Sequence, residues 1–420
     1  MNYLLIYIVL LLSVIFVPKL NSIDIIGPQW VYLSFLNLAA FCYLLTFHIK
    51  HVLASISKIF KNYIFILFFL FFALMLLSFS YSKNVIISIH DFSRHINLLV
   101  IVFNLFVFFS IYKLQFLNVA VIISIFLDCE VASSMQFFFK DLLEQGLAVF
   151  YFDNINQNAF LGFTGNKNIA AASIVFKLPM LFYLIYYYSN KWMLGLLFFI
   201  TSLSFFNLFI LSARASLISL LIILFFFIGY LIYNKRFIKS FILMASLSFA
   251  YFLFSIYLPE NTPTPLNRVS SIEFSDESSS FRLGLWNDAF NFTISHPLYG
   301  VGLGNWKVES AKFWKSHGQE YIVPYHAHND FLEIGTELGL IGFFVYFSLF
   351  CFSFYFIISS FFRLRSPLTL ILLLLLCVYF IDAFFNFPLE RPIMQVPFGI
   401  ILSMIIFYSS SPKLLVNEHF

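Results

Sequence analysis

Apolar runs of about twenty residues recur along this chain, and they restrict its fold more than any other feature. A helix needs roughly 20 mostly apolar residues to cross a bilayer. Of the 420 residues, 61% are hydrophobic and only 10% are charged. The runs are continuous, whereas a membrane β-barrel would show alternating segments of about ten residues. The sequence therefore predicts an all-α polytopic membrane protein.

About twelve windows have the length and composition of a membrane span. They lie near 3–18, 30–48, 63–81, 96–112, 115–136, 169–188, 192–211, 216–233, 240–258, 340–361, 367–385 and 393–409. The first has neither a basic start nor a small-residue cleavage site, so we expect a retained helix with no soluble domain before it. The spans divide the chain into an N-terminal bundle at 1–258, a large loop at 259–339 and C-terminal spans with a short tail at 340–420.

Lysine and arginine residues predict which loops are cytoplasmic, because positively charged loops stay on that side. Three clusters agree on a topology with both chain ends inside: Lys50, Lys58 and Lys61; Lys235, Arg236 and Lys239; Arg363 and Arg365. The external segments are then 82–95, 137–168 and 259–339 and the turns 212–215 and 386–391. These loops account for the formal charge of +4, and no basic tract indicates a nucleic-acid partner.

The large external loop is expected to contain short helices. It begins with PENTPTPLNR, whose prolines favour an extended path. The Ser/Asp/Glu-rich SDESSS then precedes helix-forming residues, which predicts a helix over about 279–294. One stripe of this helix holds Arg282, Leu285, Trp286 and Ala289. An arginine on an apolar stripe either reaches up to the bilayer surface or points into a pocket, where it can bind a phosphate with two hydrogen bonds.

Glycines mark two places where the backbone is expected to pack closely. In HPLYGVGLGNW, Gly300, Gly302 and Gly304 occupy every second position. Neither a preceding β-strand nor a Walker lysine accompanies them, so they do not indicate a nucleotide site. We expect a tight turn whose backbone approaches another surface. Gly335 and Gly339 have the spacing of a closely packed helix face.

The stretch HAHNDFLEIGTELGL gathers titratable groups directly before an apolar run. On a helix, Asn329, Glu333 and Glu337 form one polar flank, which the helix dipole alone would favour near an N-terminus. His326 and His328 precede this helix at a loop-to-helix junction. Two histidines can bind a metal, but no further ligand set is evident. The four cysteines have no CxxC or CxxH spacing, so we predict neither a metal site nor a disulfide.

Several ionisable residues lie within or beside the apolar runs: Asp128, Glu130, Lys177 and Asp382. A charge in lipid is costly, so each is expected to face the interior of the bundle or a wet cavity. The segment SIHDFSRHINLL places His90, Arg94 and His95 in a predicted external loop. Arg94 is either a further phosphate contact or part of a basic cluster that flanks the membrane.

Together these motifs resemble the O-antigen ligase and O-antigen polymerase family of bacterial membrane glycosyltransferases. The resemblance is strongest over 279–342, in FRLGLWNDAFNFTISHPLYGVGLGNW and HAHNDFLEIGTELGLIG. The segments GFTGNKNIAA, LSARASLISL and FNFPLERP extend it to roughly 160–395. These motifs are specific to the superfamily and are shared by its ligases and polymerases.

The resemblance implies transfer of a glycan from an undecaprenyl-diphosphate carrier to an acceptor hydroxyl at the periplasmic face of the inner membrane, with neither a metal nor a cofactor. The family's diphosphate-binding arginines match Arg214 and Arg282, which we expect to converge on one pocket. Its acceptor-activating histidine matches His328. The same motif supplies further candidate residues for catalysis and substrate binding: His326, Glu333, Asn329 and Glu337.

This chemistry suits the residue types. The leaving group is a lipid diphosphate, whose growing charge paired arginines can neutralise. A sugar hydroxyl is a poor nucleophile, and a histidine with a pKa near neutrality can take its proton. Direct attack assisted by one base inverts the anomeric centre. We therefore expect a metal-independent inverting glycosyltransferase with His328 as general base and His326, less constrained in the loop, as at most its support.

Alternatives to this function stay open. Ligase and polymerase differ in the acceptor, which is lipid A core for a ligase and another carrier-linked repeat unit for a polymerase. A lipid or polysaccharide transporter or flippase would suit twelve spans with Lys177 and Asp382 inside the membrane. However, the sequence lacks an internal repeat with paired broken helices, and a carrier would give the HxHN loop no evident role.

Overall fold

The computed structural model describes residues 2–20, 22, 24–136, 162–257, 264, 267, 277–314 and 324–417. Within these ranges the chain is helical and has no β-strand. The helices are α1 (Tyr3–Leu12), α2 (Ile26–Phe47), α3 (Ile49–Ile59), α4 (Tyr63–Leu77), α5 (Val85–Ile111), α6 (Phe116–Ser134), α7 (Lys167–Tyr187), α8 (Lys191–Leu211), α9 (Arg214–Tyr233), α10 (Phe237–Tyr257), α11 (Glu277–Ser295), α12 (Trp306–Trp314), α13 (Asp330–Leu364), α14 (Pro367–Phe385), α15 (Pro392–Ser410) and α16 (Pro412–Asn417). The PENTPTPLNR segment lies almost entirely outside the described residues.

Eleven of the described helices are long and apolar enough to cross a membrane, which confirms a polytopic helical membrane protein. Each corresponds to one predicted span. The other predicted span, 3–18, consists of α1 and the 3₁₀ turn Ser13–Phe16, and it is shorter than a crossing normally requires. All four cysteines carry free thiols. The loop orientations and the domain limits inferred from the sequence stay predictions.

Helix α5 begins well before the span predicted at 96–112. Asn84 caps it, since its Oδ1 accepts hydrogen bonds from the amides of the second and third helical residues at 3.1 and 3.4 Å. The prediction that His90, Arg94 and His95 lie in a loop is therefore wrong. These polar residues form the first turns of α5, and they lower the local hydropathy without ending the helix.

Helix α13 carries the candidate site at its start and is interrupted one-quarter of the way along its 35 residues. The break is at Gly339, which has a φ of 73° and a ψ of −176°. Asn329 caps the first turn, because its Oδ1 accepts a hydrogen bond from the Leu332 amide at 3.1 Å. At the break, the Leu340 amide donates to the carbonyl of Pro297 at 2.9 Å. The loop after α11 thus supplies an acceptor that the interrupted helix cannot provide.

The glycine-rich loop packs against α13 and α5 through its backbone, as predicted. Two of its amides donate to the carbonyls of Thr336 and Glu337, each at 3.0 Å. A Cβ atom at Gly300 would overlap the carbonyl oxygen of Thr336. Side chains at the next two glycines would overlap Ser82, just before α5, and Asp91, in its second turn. The loop can occupy this space only without side chains at these positions.

The chain forms two compact units. The first comprises residues 1–114, 273–364 and 379–420, and the second comprises 115–272 and 365–378. In the second unit, Lys177 is 1% exposed and pairs with Glu130 at 2.8 Å. For Lys177 and Glu130, this ion pair confirms that charges within the spans face the interior of the helix bundle.

Candidate active site

The first turn of α13 is hydrogen-bonded to the segment that joins α14 to α15. The carboxylate of Asp330 accepts a hydrogen bond from the Leu389 amide at 3.2 Å. On the other side of this connection, Asn386 donates to Asp382 at the end of α14 at 2.6 Å. The connecting segment, which contains the 3₁₀ turn Pro388–Glu390, is thereby held against the histidine motif.

Phe387 lies at the centre of the candidate active site. The ring of His326 stacks on it with a centroid distance of 4.2 Å, and the ring of His328 meets it nearly edge-on at 5.0 Å. The guanidinium carbon of Arg391 lies 4.6 Å from the centroid of the same ring. One aromatic side chain therefore organises two histidines and an arginine from two separate segments.

His326 is held by Glu333, which lies on the first turn of α13. The Nδ1 atom of His326 is 2.8 Å from Glu333 Oε1, and Oε2 accepts from the Ala327 amide at 2.8 Å. The expectation that His326 is less constrained than His328 is therefore wrong, because Glu333 fixes both its ring and the next peptide unit. Burial opposes the protonated form, but the charge and hydrogen bond of Glu333 outweigh it and raise the pKa of His326.

His328 has the opposite environment. Its Nδ1 is buried and has no hydrogen-bond partner among the described residues. Burial, together with the positive charges of Arg282, His326 and Arg391, lowers the pKa of His328 to about 4. Its backbone has a φ of 53°, a left-handed conformation that costs a non-glycine residue roughly 1–3 kcal/mol. A neutral imidazole with a free ring nitrogen is thus held in a strained segment, as at many functional sites.

Arg282 reaches the site from α11. Its helix buries the predicted apolar stripe, with Leu285 2% exposed and Ala289 fully buried. Arg282 itself is half-buried, and its charge acts on both His328 and Asp382. The helix predicted from the SDESSS signal is confirmed, and it brings a guanidinium to the histidine motif from a distant part of the sequence.

Arg391 was not recognised from the sequence, although it lies in the FNFPLERP segment. It is half-buried, and its Nε has no hydrogen-bond partner within the described ranges. The neighbouring Glu390 pairs with His95 of α5 at 3.0 Å. Burial opposes the ionised form of Glu390, but the charge and hydrogen bond of His95 lower its pKa, so the carboxylate stays ionised. Because Glu390 directly precedes Arg391, its ion pair with His95 also fixes the backbone position of Arg391.

Arg94 lies beside the same group of charges. Its Nη1 is 3.9 Å from Asp91 Oδ1, and its charge acts on Glu390 and Arg391. Asp91 also pairs with Lys307 at 3.1 Å. Arg94 is therefore near the site and already shares a carboxylate, and its predicted contact with a phosphate stays a prediction.

The remaining predicted residues have the following positions. Asn329 is the cap of α13, and Glu337 is buried and accepts a hydrogen bond from the Trp306 amide at 3.2 Å. Arg214 is the first residue of α9 in the second unit, and its convergence with Arg282 stays a prediction. In the part of the chain that the structure describes, no group of three or more His, Cys, Asp or Glu side chains could hold a metal ion.

Comparison with known families gave a match for this chain. The family model described as O-antigen ligase matches residues 197–347, from α8 into α13. The matched range includes Arg282, His326, His328 and Glu333. Comparison with curated proteins gave no match. The resemblance seen in the sequence is thereby confirmed over residues 197–347, and this part of the membrane protein is similar to the O-antigen ligase family.

Proposed function

We propose that this protein transfers a glycan from undecaprenyl diphosphate to an acceptor hydroxyl at the outer face of the bacterial inner membrane. The observation that carries this proposal is the environment of His328. Its Nδ1 is buried and unpaired among the described residues, and the charges of Arg282 and Arg391 act on its ring. This arrangement combines a neutral base with cationic groups that suit a diphosphate.

The cationic groups bind and stabilise the leaving diphosphate. The charges of Arg282 and Arg391 both act on His328, so the two side chains lie near the same ring. A guanidinium group can bind phosphate oxygens with paired hydrogen bonds. The protonated form of His326, favoured by Glu333, adds a further positive charge. Negative charge grows on the diphosphate oxygen as the glycosidic bond breaks, so fixed cations lower the barrier. Arg214, which the resemblance matches to a diphosphate-binding arginine, is proposed as a further residue that binds the donor.

His328 removes the proton from the acceptor hydroxyl as its oxygen attacks the anomeric carbon. The bond from that carbon to the diphosphate oxygen breaks, the proton passes to the imidazole, and the diphosphate leaves with the electron pair. Before the donor binds, burial and, to a smaller extent, the nearby cations lower the pKa of His328 to about 4. A bound diphosphate cancels much of their charge, so the imidazole becomes a stronger base when the donor is present. Attack opposite the leaving group inverts the anomeric centre.

The proposed acceptor is lipid A core, and the alternative within the same family is a second carrier-linked repeat unit. Purified protein in detergent would be incubated with undecaprenyl-diphosphate glycan and each acceptor separately. A glycan-capped core supports a ligase, and a lengthened carrier-linked chain supports a polymerase. No product with either acceptor, from protein that binds the donor, would contradict the proposed transfer and favour a transporter.

The proposed periplasmic position of the site is tested by labelling. Single cysteines at Tyr325, which is 67% exposed beside the histidines, and at the exposed Lys413 in α16 would be introduced without the native cysteines. An impermeant maleimide should label the first in intact spheroplasts and the second only after lysis. The reverse pattern would place the histidine motif in the cytoplasm and overturn the proposed topology.

A further inference from the structure

A cavity with a basic rim lies at the other end of α13 from the histidines. It has a volume of about 810 Å³ and is formed by α4, the end of α13 and the end of α15, all in the first unit. Its lining includes Lys58, Lys61, Tyr63, Tyr355, Arg363 and Ser410. Arg363 follows the first residue of α13 by more than nine helical turns, so the two sites are separated by the length of a membrane span.

The cavity has strong positive character at its rim. Lys58, Lys61 and Arg363 are exposed, and none of them forms an ion pair with a described residue. Among the described residues, no carboxylate lines the cavity. Three cations around one space repel each other unless an anion is shared between them. The charge distribution therefore complements an anionic ligand.

Two of the three basic side chains, Lys58 and Lys61, lie at the turn between α3 and α4, which hydrogen bonds hold in place. Asn62 is buried and donates to Ser409 and Ser410 at 2.7 and 2.9 Å, while its Oδ1 caps the start of α4. Lys58 donates to Ser411 and lies 5.7 Å from the ring centroid of Phe407. The turn between α3 and α4 is thus fastened to the end of α15. The cations are presented by an ordered element and do not depend on a loose loop.

The other wall of the cavity is apolar and runs along α13. Phe352 is 48% exposed and Tyr355 is 73% exposed, and both line the cavity. From Phe352 to Arg363 the helix rises about 16 Å, at 1.5 Å per residue, which is comparable to a lipid acyl chain. A basic rim at one end and an aromatic wall along the helix together match a molecule with an anionic head and an apolar tail.

We propose that this cavity binds a phospholipid with an anionic headgroup. Its phosphate lies against Lys58, Lys61 and Arg363, and an acyl chain follows the wall formed by Phe352 and Tyr355. Basic pockets between membrane helices are suited to acidic lipids, and these three residues belong to the loops expected on the cytoplasmic side. The proposal is independent of the chemistry at His328, because it concerns the opposite end of α13.

The test is native mass spectrometry of the full-length protein in detergent. Phosphatidylglycerol, phosphatidylcholine with the same acyl chains, and glycerol 3-phosphate would be titrated separately. Phosphatidylglycerol should bind most tightly. Lys58→Gln, Lys61→Gln and Arg363→Gln should each weaken it about fivefold, the effect associated with one basic residue near an anionic membrane surface. The matched control is Lys50→Gln, an exposed lysine of α3 outside the cavity, which should leave binding unchanged.

Three results would overturn the proposal. Equal binding of phosphatidylcholine would remove the role of the anionic headgroup. Equally tight binding of glycerol 3-phosphate would indicate a site for a soluble phosphate and not for a lipid. Unchanged phosphatidylglycerol affinity in a variant that combines all three substitutions, confirmed as folded by its thermal unfolding midpoint, would show that the lipid binds elsewhere. The substituted side chains are exposed, so loss of the fold is not expected.

Discussion

Glu333 holds His326 with one carboxylate oxygen and the Ala327 amide with the other, each at 2.8 Å. A single side chain therefore fixes both the ring of the first histidine and the backbone that leads to the second. The ring of His326 also stacks on Phe387, so its positive charge has a defined position. Glu333 raises the pKa of His326, whereas burial and the positive charges of Arg282, His326 and Arg391 lower the pKa of His328, so the two pKa shifts are opposite for a structural reason.

Replacement of Glu333 by glutamine tests this ion pair through the pH dependence of stability. Glu333 raises the pKa of His326 above its ordinary value of 6.5. The pair therefore stabilises the fold fully below pH 6.5, and this contribution is lost as the pH rises through the raised pKa. The wild-type protein should have a higher thermal unfolding midpoint than Glu333→Gln in mildly acidic buffer, and the difference should shrink toward alkaline pH. A difference that does not vary with pH would contradict the ion pair.

The pH dependence of transfer tests how the donor changes the basicity of His328. The profile of kcat/KM reports the free enzyme, so its acidic limb should fall near pH 4, the lowered pKa of His328. The profile of kcat reports the donor complex, where diphosphate offsets the cations, so its limb should lie at higher pH. Arg282→Gln removes one cation and should move the kcat/KM limb upward. Coincident limbs in both profiles would show that the donor does not alter this histidine.

The contact between the glycine-rich loop and α13 predicts a strong effect of a single methyl group. A Cβ atom at position 300 would overlap the backbone carbonyl of Thr336, which cannot move without disturbing the helix. Gly300→Ala should therefore destabilise the protein by about 1–3 kcal/mol or more. Gly284→Ala is the matched control, because no atom lies within 4 Å of its added Cβ on α11. Equal unfolding midpoints for the two variants would contradict the close packing.

Arg391 is predicted to bind the donor although it was found only from the structure. Arg391→Gln and Arg282→Gln should each weaken the binding of undecaprenyl-diphosphate glycan by about 10-fold to 100-fold, as expected for a lost charge-assisted hydrogen bond. Lys113→Gln, an exposed lysine after the end of α5, is the control and should bind normally. Normal donor affinity in Arg391→Gln would remove this residue from the proposed diphosphate pocket.

Features that depend on local sequence were predicted well. The apolar runs identified the spans, the SDESSS signal identified α11, and the spacing of Gly300, Gly302 and Gly304 indicated close backbone packing. Each of these signals depends on residues within about twenty positions. Hydropathy misplaced the start of α5, because the polar residues of SIHDFSRH lower it while the cap at Asn84 still starts the helix.

Contacts between segments that are distant in sequence could not be predicted from local sequence patterns. The pairing of His95 with Glu390 joins residues almost three hundred positions apart, and no local pattern connects them. The position of Arg391 depends on that pair, so its role was missed. Glu333 and His326 are only seven positions apart, but their contact joins the first turn of a helix to the loop before it. It forms because the Glu333 side chain turns back toward that loop. Sequence spacing alone placed the two groups near each other without showing that they pair.

The separate replacement of the two histidines is the strongest test of the proposed base. His328→Ala should reduce transfer by about 10²-fold or more, the usual scale for loss of a general base. Donor binding should be nearly unchanged, because the arginines provide it. His326→Ala removes a positive charge and a stacking partner of Phe387, but leaves the unpaired ring of His328 in place. It should therefore retain more activity than His328→Ala and shift the acidic limb of kcat/KM upward.

His296→Ala is the matched control, because His296 is exposed at the end of α11 and should affect transfer little. All variants would be assayed for transfer and for donor binding in the same detergent. Near-normal transfer by His328→Ala, together with a large loss in His326→Ala, would assign the base to the histidine that Glu333 binds. That result would mean that Glu333 orients the base directly, and that the lowered pKa of His328 serves only to keep a further positive charge away from the arginines.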